Sequence, residues 1–120
     1  MCHILIIEDE LFIALDLEAL LRKEGATSFS FAQTEAEAVT EALAHRPSLI
    51  TSDMTLSEGT GPQAVAAIHE ALGDIPVIFI TATPSACGDL SPNHLVLSKP
   101  LNSIEITSAY QRLNLPSPRP

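Results

Sequence analysis

Apolar residues in this chain fall into short unbroken runs that alternate with longer stretches at helical spacing. Ile4-Leu5-Ile6-Ile7 is β-rich with no polar interruption, the pattern of a parallel strand covered on both faces. From Leu11 to Glu24 the spacing turns helical and Gly25 supplies a stop. Ile13, Leu17, Leu20 and Leu21 form one stripe on that helix, suited to packing on a sheet. Thr27 to Phe31 alternates as a strand. Thr34 followed three positions later by Glu37 is a capping-box signature. The helix it opens carries Ala38, Val39, Ala42 and Leu43 and stops before Pro47. After the turn signal Arg46-Pro47-Ser48, Leu49 to Ser52 is a third, buried strand. Gly61-Pro62 begins a helix through Ala64, Val65, Ala67, Ile68 and Leu72 to Gly73, with the proline near its start, where a missing N–H does no harm. Ile75 to Thr81 and Leu95 to Leu97 are the fourth and fifth strands. Asn102 to Leu113 is a last helix, with Asn102 or Ser103 as its cap.

Five strands alternating with four or five helices define an α/β fold, a doubly wound parallel sheet. Ala82 to Asn93 carries two prolines and a glycine, which predicts a shortened or irregular helix between the last two strands. In such a sheet all strands end on one edge, so Glu8, Asp9, Asp53, Thr81 and Lys99 converge there. Open α/β sheets place their chemistry in the crevice beyond those ends.

Composition narrows the picture. A chain of 120 residues is one domain, and a hydrophobic content of 46% speaks against disorder. Fifteen acids against six bases give a formal charge of -9, which argues against a nucleic-acid partner. The balance fits a cytoplasmic protein, or a site that concentrates carboxylates for a divalent cation. Cys2 and Cys87 have no metal-ligand spacing and read as reduced thiols. The apolar start runs straight into Glu8-Asp9-Glu10, so it is neither a signal peptide nor a membrane span. Surface or turn placement is the default expected for the four histidines.

Three carboxylates from two strand ends suit Mg²⁺, which takes oxygen ligands and usually one or two carboxylates with waters and a phosphate. Packed together without a cation they repel. Lys99 supplies a point charge for a carboxylate or phosphate oxygen, and Thr81 a hydroxyl. Asp53 then has the chemistry of a carboxylate nucleophile toward a phosphoryl donor. Each residue alone also has a plainer reading: Asp53 as a cap, Lys99 as a surface lysine, Thr81 as a strand residue, Glu8 and Asp9 as a solvated turn. Four strand ends in this order carry the signal together. Leu11, Phe12 and Leu15 fall off the helix stripe and fit either tolerated exposure or a docking surface.

From Ile4 to about Leu113 the chain resembles the CheY-like receiver domains of two-component response regulators. The likeness rests on Glu8-Asp9 after the first strand, Asp53 after the third, Gly61 in the following loop, Thr81 after the fourth and Lys99-Pro100 after the fifth. It implies a flavodoxin-like strand order 2-1-3-4-5, a stand-alone receiver over residues 1–115 and a Pro-rich tail over 116–120. It further implies that Asp53 accepts a phosphoryl group from a histidine kinase or histidine phosphotransfer protein. Mg²⁺ would sit on Glu8, Asp9, Asp53 and the backbone carbonyl of Thr55, while Thr81 and Lys99 read the phosphate. Gly61 and Pro100 would shape the loops. Leu11, Phe12, Leu15 and Leu101 would meet the kinase, and a downstream protein target would read the switch. No nucleic acid and no membrane enter this expectation.

The chain departs from the family pattern in four places. Its acidic pair is Glu-Asp rather than Asp-Asp, Ser57 replaces a usual proline, and the stretch between Thr81 and Lys99 is short and broken by proline. Val96, the switch position, stands where Phe or Tyr is usual and offers no aromatic rotamer for Thr81 to couple to. Pro76-Val77-Ile78-Phe79-Ile80-Thr81-Ala82 partly matches a sub-family with a Pro-Phe-x-Phe-Ala-Thr-Gly motif. Two rival functions stand beside the phospho-acceptor: a receiver-like interaction module acting without phosphate, and an aspartate-nucleophile phosphohydrolase. The second needs an acid near its nucleophile, and two positions after Asp53 stands Thr55.

Overall fold

The computed structural model describes residues 3–54, 56, 58–81, 94–99 and 102–113. Strands β1 (His3–Ile7), β2 (Ser28–Ala32), β3 (Leu49–Asp53), β4 (Val77–Thr81) and β5 (His94–Ser98) alternate with helices α1 (Leu11–Lys23), α2 (Glu35–Ala44), α3 (Gly61–Leu72) and α4 (Ser103–Arg112), save that 82–93 lies outside the described residues. All pairings are parallel, in the order β2-β1-β3-β4-β5. The expected doubly wound sheet is therefore present. The reduced helix expected between β4 and β5 falls outside the described residues, as do Cys2, Thr55, Ser57, Cys87, Pro100, Leu101 and the tail.

The unbroken apolar strands are explained by the two layers they separate. On one face Ile4, Ile6, Leu49, Ile78 and Ile80 pack with Ala14, Leu17 and Leu21 of α1 and with Ile106, Ala109 and Tyr110 of α4. On the other, Leu5, Ile7, Ile50, Val77 and Phe79 pack with Ala38 and Ala42 of α2 and Ala64, Val65 and Ile68 of α3. Neighbours along each central strand thus serve opposite cores, and both parities are buried. Each fully buried Ile or Leu contributes roughly 1.5–3 kcal/mol. The α2 stripe ends earlier than its pattern suggests, because Leu43 points to solvent.

Caps fix where the helices begin. The Thr34 hydroxyl accepts from the Glu37 N–H at 3.1 Å, while the Glu37 carboxylate accepts from the Gln33 N–H at 2.8 Å, one residue earlier than a standard box. Thr60 caps α3 by accepting from the Gln63 N–H. The Asn102 carboxamide accepts from the Ile104 and Glu105 N–H groups, which settles the two readings of the last cap.

One histidine departs from its expected surface place. His3 is buried at the start of β1, its ring nitrogens 2.7 and 2.8 Å from the Ser28 and Ser30 hydroxyls, and it stacks on His45 at 3.5 Å. Burial first, and then the neighbouring His45 charge, hold its pKa below the ordinary value. Parallel pairing sets His3 beside Ser28, so the serines of the alternating Ser-Phe-Ser-Phe run satisfy the ring. Among the described residues no helix is long and apolar enough to cross a membrane.

Candidate functional site

β1 sits between β2 and β3, so the chain leaves β1 to one side and later returns on the other. This reversal opens a crevice beyond the carboxyl ends of β1 and β3. Glu8 and Asp9 follow β1, and Asp53 ends β3. The Glu8 N–H donates to the Ala32 carbonyl at 2.9 Å and extends the ladder by one residue, which turns the Glu8 side chain inward. β5 delivers Lys99, whose N–H donates to the Thr81 carbonyl at 2.9 Å. Thr81 is buried at the end of β4. The five residues expected to meet at one sheet edge do so.

Lys99 is the centre of charge. Its Nζ lies 3.1 Å from Asp53 Oδ2, 3.7 Å from Glu8 Oε1 and 3.6 Å from Glu10 Oε1. Burial alone lowers the Lys99 pKa, but the Asp53 hydrogen bond and the carboxylates of Glu8, Asp53 and Glu10 outweigh it and raise the value. Asp53 Oδ1 accepts from the Met54 N–H at 2.7 Å, which fixes the carboxylate plane.

Glu8, Asp9, Glu10 and Asp53 each offer an oxygen, and these oxygens lie within 4.8 Å of one another. Such clusters are common on acidic surfaces, but Glu8 is not a surface residue: its side chain is 1% exposed. One Glu8 oxygen accepts from the Glu10 N–H at 3.1 Å, and the other, Oε1, has no hydrogen bond among the described residues. The Lys99 ammonium stands 3.7 Å from it, beyond hydrogen-bond reach. A buried carboxylate oxygen without a donor is costly, and the four-oxygen donor set fits a hard divalent ion. Thr55, whose carbonyl the family likeness adds, lies outside the described residues.

Burial pushes the Glu8 carboxyl up to about 7; the Glu10 N–H and Lys99 oppose this, and Asp53 adds to it. The unfolded chain loses this proton near the ordinary value of 4.5, while the folded chain keeps it to about 7. Stability therefore falls as pH rises through that window, by about 3 kcal/mol at most. Glu8→Gln keeps the shape without the charge. In EDTA its urea midpoint is expected to gain on wild type between about pH 5 and pH 7.5; a constant gap would remove Glu8 as the cause.

Gly61 explains itself only in three dimensions. Its N–H donates to the Met54 carbonyl at 3.0 Å, and a Cβ there would stand 1.8 Å from the Asp53 carbonyl oxygen and 2.5 Å from Ser52 Oγ. The start of α3 thus lies directly on the backbone that carries Asp53. The loop between them is tied to α2 through a parallel bridge between Thr34 and Glu58. On α1, Leu11, Phe12 and Leu15 are exposed, Phe12 to 84%. Val96 is half-buried and packs on the core that includes Phe79. Glu10 was legible only as the third acid of a turn, and nothing in the pattern signals its reach to Lys99.

The chain belongs to the response regulator receiver domain family, whose model matches residues 4–111. It is 37% identical over 115 residues to the phyllosphere-induced regulator PhyR of Methylorubrum extorquens, a match covering 92% of this chain and 42% of that protein. The solution structure of the PhyR receiver domain of Erythrobacter litoralis is similar with a TM-score of 0.82 and 34% identity, over 99% of this chain and 95% of that one. The crystal structure of the anti-anti-sigma factor PhyR from Bartonella quintana gives 0.82 and 31%, over 95% of this chain and 48% of that one. This chain spans less than half the length of the curated relatives it matches.

Proposed function

We propose that this protein is a phospho-accepting response regulator in which Asp53 takes a phosphoryl group from a histidine kinase or a histidine phosphotransfer protein. The observation that carries this reading is the placement of the Lys99 ammonium 3.1 Å from the Asp53 carboxylate, at the rim of a cluster of acids able to share a cation. An Asp53 oxygen bonds to phosphorus while the bond from phosphorus to the donor breaks, and the donor keeps that electron pair. Glu8, Asp9 and Asp53, with the Thr55 carbonyl by family likeness, are the proposed holders of Mg²⁺, which when bound neutralises phosphoryl oxygens. Phosphate on Asp53 adds about -1.5 to -2 charge. Lys99 meets that charge, Thr81 offers its hydroxyl, and Val96 is the switch position. The receiver is proposed to occupy 1–115 and the tail 116–120, with Gly61 and Pro100 shaping the loops. Similarity to an anti-anti-sigma factor supports a downstream protein target in sigma-factor control.

Incubation with Mg²⁺ and acetyl phosphate tests the acceptor. Wild type is expected to gain one phosphoryl mass and Asp53→Asn none; no gain in wild type, or a gain kept in the variant, overturns the reading. Kinase docking is proposed to use Leu11, Phe12, Leu15 and Leu101. Phe12→Ala and Leu15→Ala remove exposed side chains, so stability is expected to hold within about 0.5 kcal/mol. Transfer from the kinase should slow about tenfold, while loading from acetyl phosphate, which needs no docking, stays unchanged. Equal kinase transfer by both variants would contradict the surface.

A further inference from the structure

We infer that Glu10 is a positioning residue that holds the Lys99 ammonium at the rim of the site and adds a negative charge in the donor's path, so that it slows the loading of Asp53 and disfavours the more highly charged donors. This rests on the reading of Asp53 as the phospho-acceptor. Three observations carry it. Lys99 Nζ has three carboxylates within 4 Å, and Glu10 at 3.6 Å is as near as the buried Glu8 at 3.7 Å. Glu8 and Asp53 are fixed, one by burial and a backbone N–H, the other by the Met54 N–H. The Glu10 side chain is instead 63% exposed and extends from the N-cap of α1, where it makes no capping hydrogen bond. Its carboxylate stands at the edge of the four-acid cluster, and among the described residues its ion pair is with the lysine.

Loading draws on the same lysine. The Asp53 carboxylate bonds to the phosphorus of acetyl phosphate, the bond from phosphorus to the bridging oxygen breaks, and acetate leaves with that electron pair; no proton moves. The incoming donor is a dianion and needs Lys99 turned toward its oxygens. Glu10 opposes this twice, by competing for the ammonium and by repelling the dianion. An exposed pair and a single charge at the rim are each modest effects in water-like dielectric, so the expected change is severalfold. Glu8 and Asp9 are already assigned as proposed holders of the cation, and Glu8 is held by burial and the Glu10 N–H.

The test compares wild type, Glu10→Gln and Glu10→Asp at saturating Mg²⁺, so that a lost carboxylate is not read as lost metal. Loading is followed by intact mass with acetyl phosphate, and again with phosphoramidate, which carries less net negative charge. Glu10→Gln is expected to load about threefold faster with acetyl phosphate, with a clearly smaller gain from phosphoramidate; high salt narrows the difference. Glu10→Asp, which keeps the charge, stays near wild type. A second readout needs no phosphate: the chain has one other lysine, Lys23, so in Lys23→Arg the Lys99 ammonium gives a single nitrogen resonance, which should move on Glu10→Gln. Equal loading, equal acceleration by both donors, or an unmoved resonance each overturn the inference. Should wild type itself fail to load, the acceptor reading fails, and the resonance still reports on Glu10 and Lys99.

Discussion

Lys99→Met is expected to slow the loading of Asp53 by acetyl phosphate about 10- to 100-fold. The estimate follows from one charge-assisted hydrogen bond, about 1.5–3 kcal/mol, lost where phosphoryl charge gathers. Methionine keeps most of the aliphatic stem, so the change isolates the ammonium. In the resting protein that ammonium stands within 4 Å of Asp53, Glu8 and Glu10. Without it the acids face one another unneutralised, and Mg²⁺ becomes the remaining source of positive charge. Mg²⁺ should therefore stabilise Lys99→Met against heat more than it stabilises wild type. Lys99→Arg carries the charge on a planar fork rather than a compact ammonium and is expected to recover only part of the rate. Loading within twofold of wild type by Lys99→Met would detach the lysine from the chemistry.

Gly61→Ala is expected to lower stability by about 3 kcal/mol and the melting temperature by on the order of 10 °C. A single methyl is enough because its first neighbour is backbone. The Asp53 carbonyl would stand 1.8 Å from the new carbon and cannot rotate away as a side chain does. Either α3 lifts off the end of β3, losing the Gly61 N–H bond to the Met54 carbonyl, or Asp53 moves with its strand end. Both outcomes disturb Asp53, the proposed acceptor, so whatever protein folds should also load slowly. A melting temperature within about 2 °C of wild type would show that the start of α3 is not tied to Asp53 in this way. The contrast with Gly73 is instructive: a Cβ there meets nothing within 4 Å, and the positive φ of +91° is the reason for glycine.

The frame of the molecule was readable in the chain because burial on two faces leaves a simple trace. After His3, β1 admits no polar residue until the sheet edge, and neither does β4; that edge is where Glu8 and Thr81 stand. β3 hides more. Thr51 and Ser52 are buried, as the reading of a covered strand requires, although that sequence is half polar; its place between β1 and β4 accounts for their burial. Candidate site residues are legible where strand ends announce them, as with Asp53 and Lys99, which stand 3.1 Å apart. Glu10 was not, since its role depends on a lysine 89 positions away in the chain. His3 was missed for the opposite reason: a histidine at a strand start has no periodic signal, and its serine partners belong to the neighbouring strand. Leu43 looked like core because it follows Val39 at helical spacing, yet α2 turns it past the edge of the layer it covers.

A crystal structure of the protein grown with Mg²⁺ and beryllium fluoride, a mimic of the phosphoryl group, tests the account at its centre. The expected result is the fluoride group on the Asp53 carboxylate, a cation held by Glu8, Asp9 and Asp53, and the Lys99 ammonium and Thr81 hydroxyl turned to the fluorides. A fluoride group bound elsewhere, or one on Asp53 with Lys99 left among the glutamates, would contradict it.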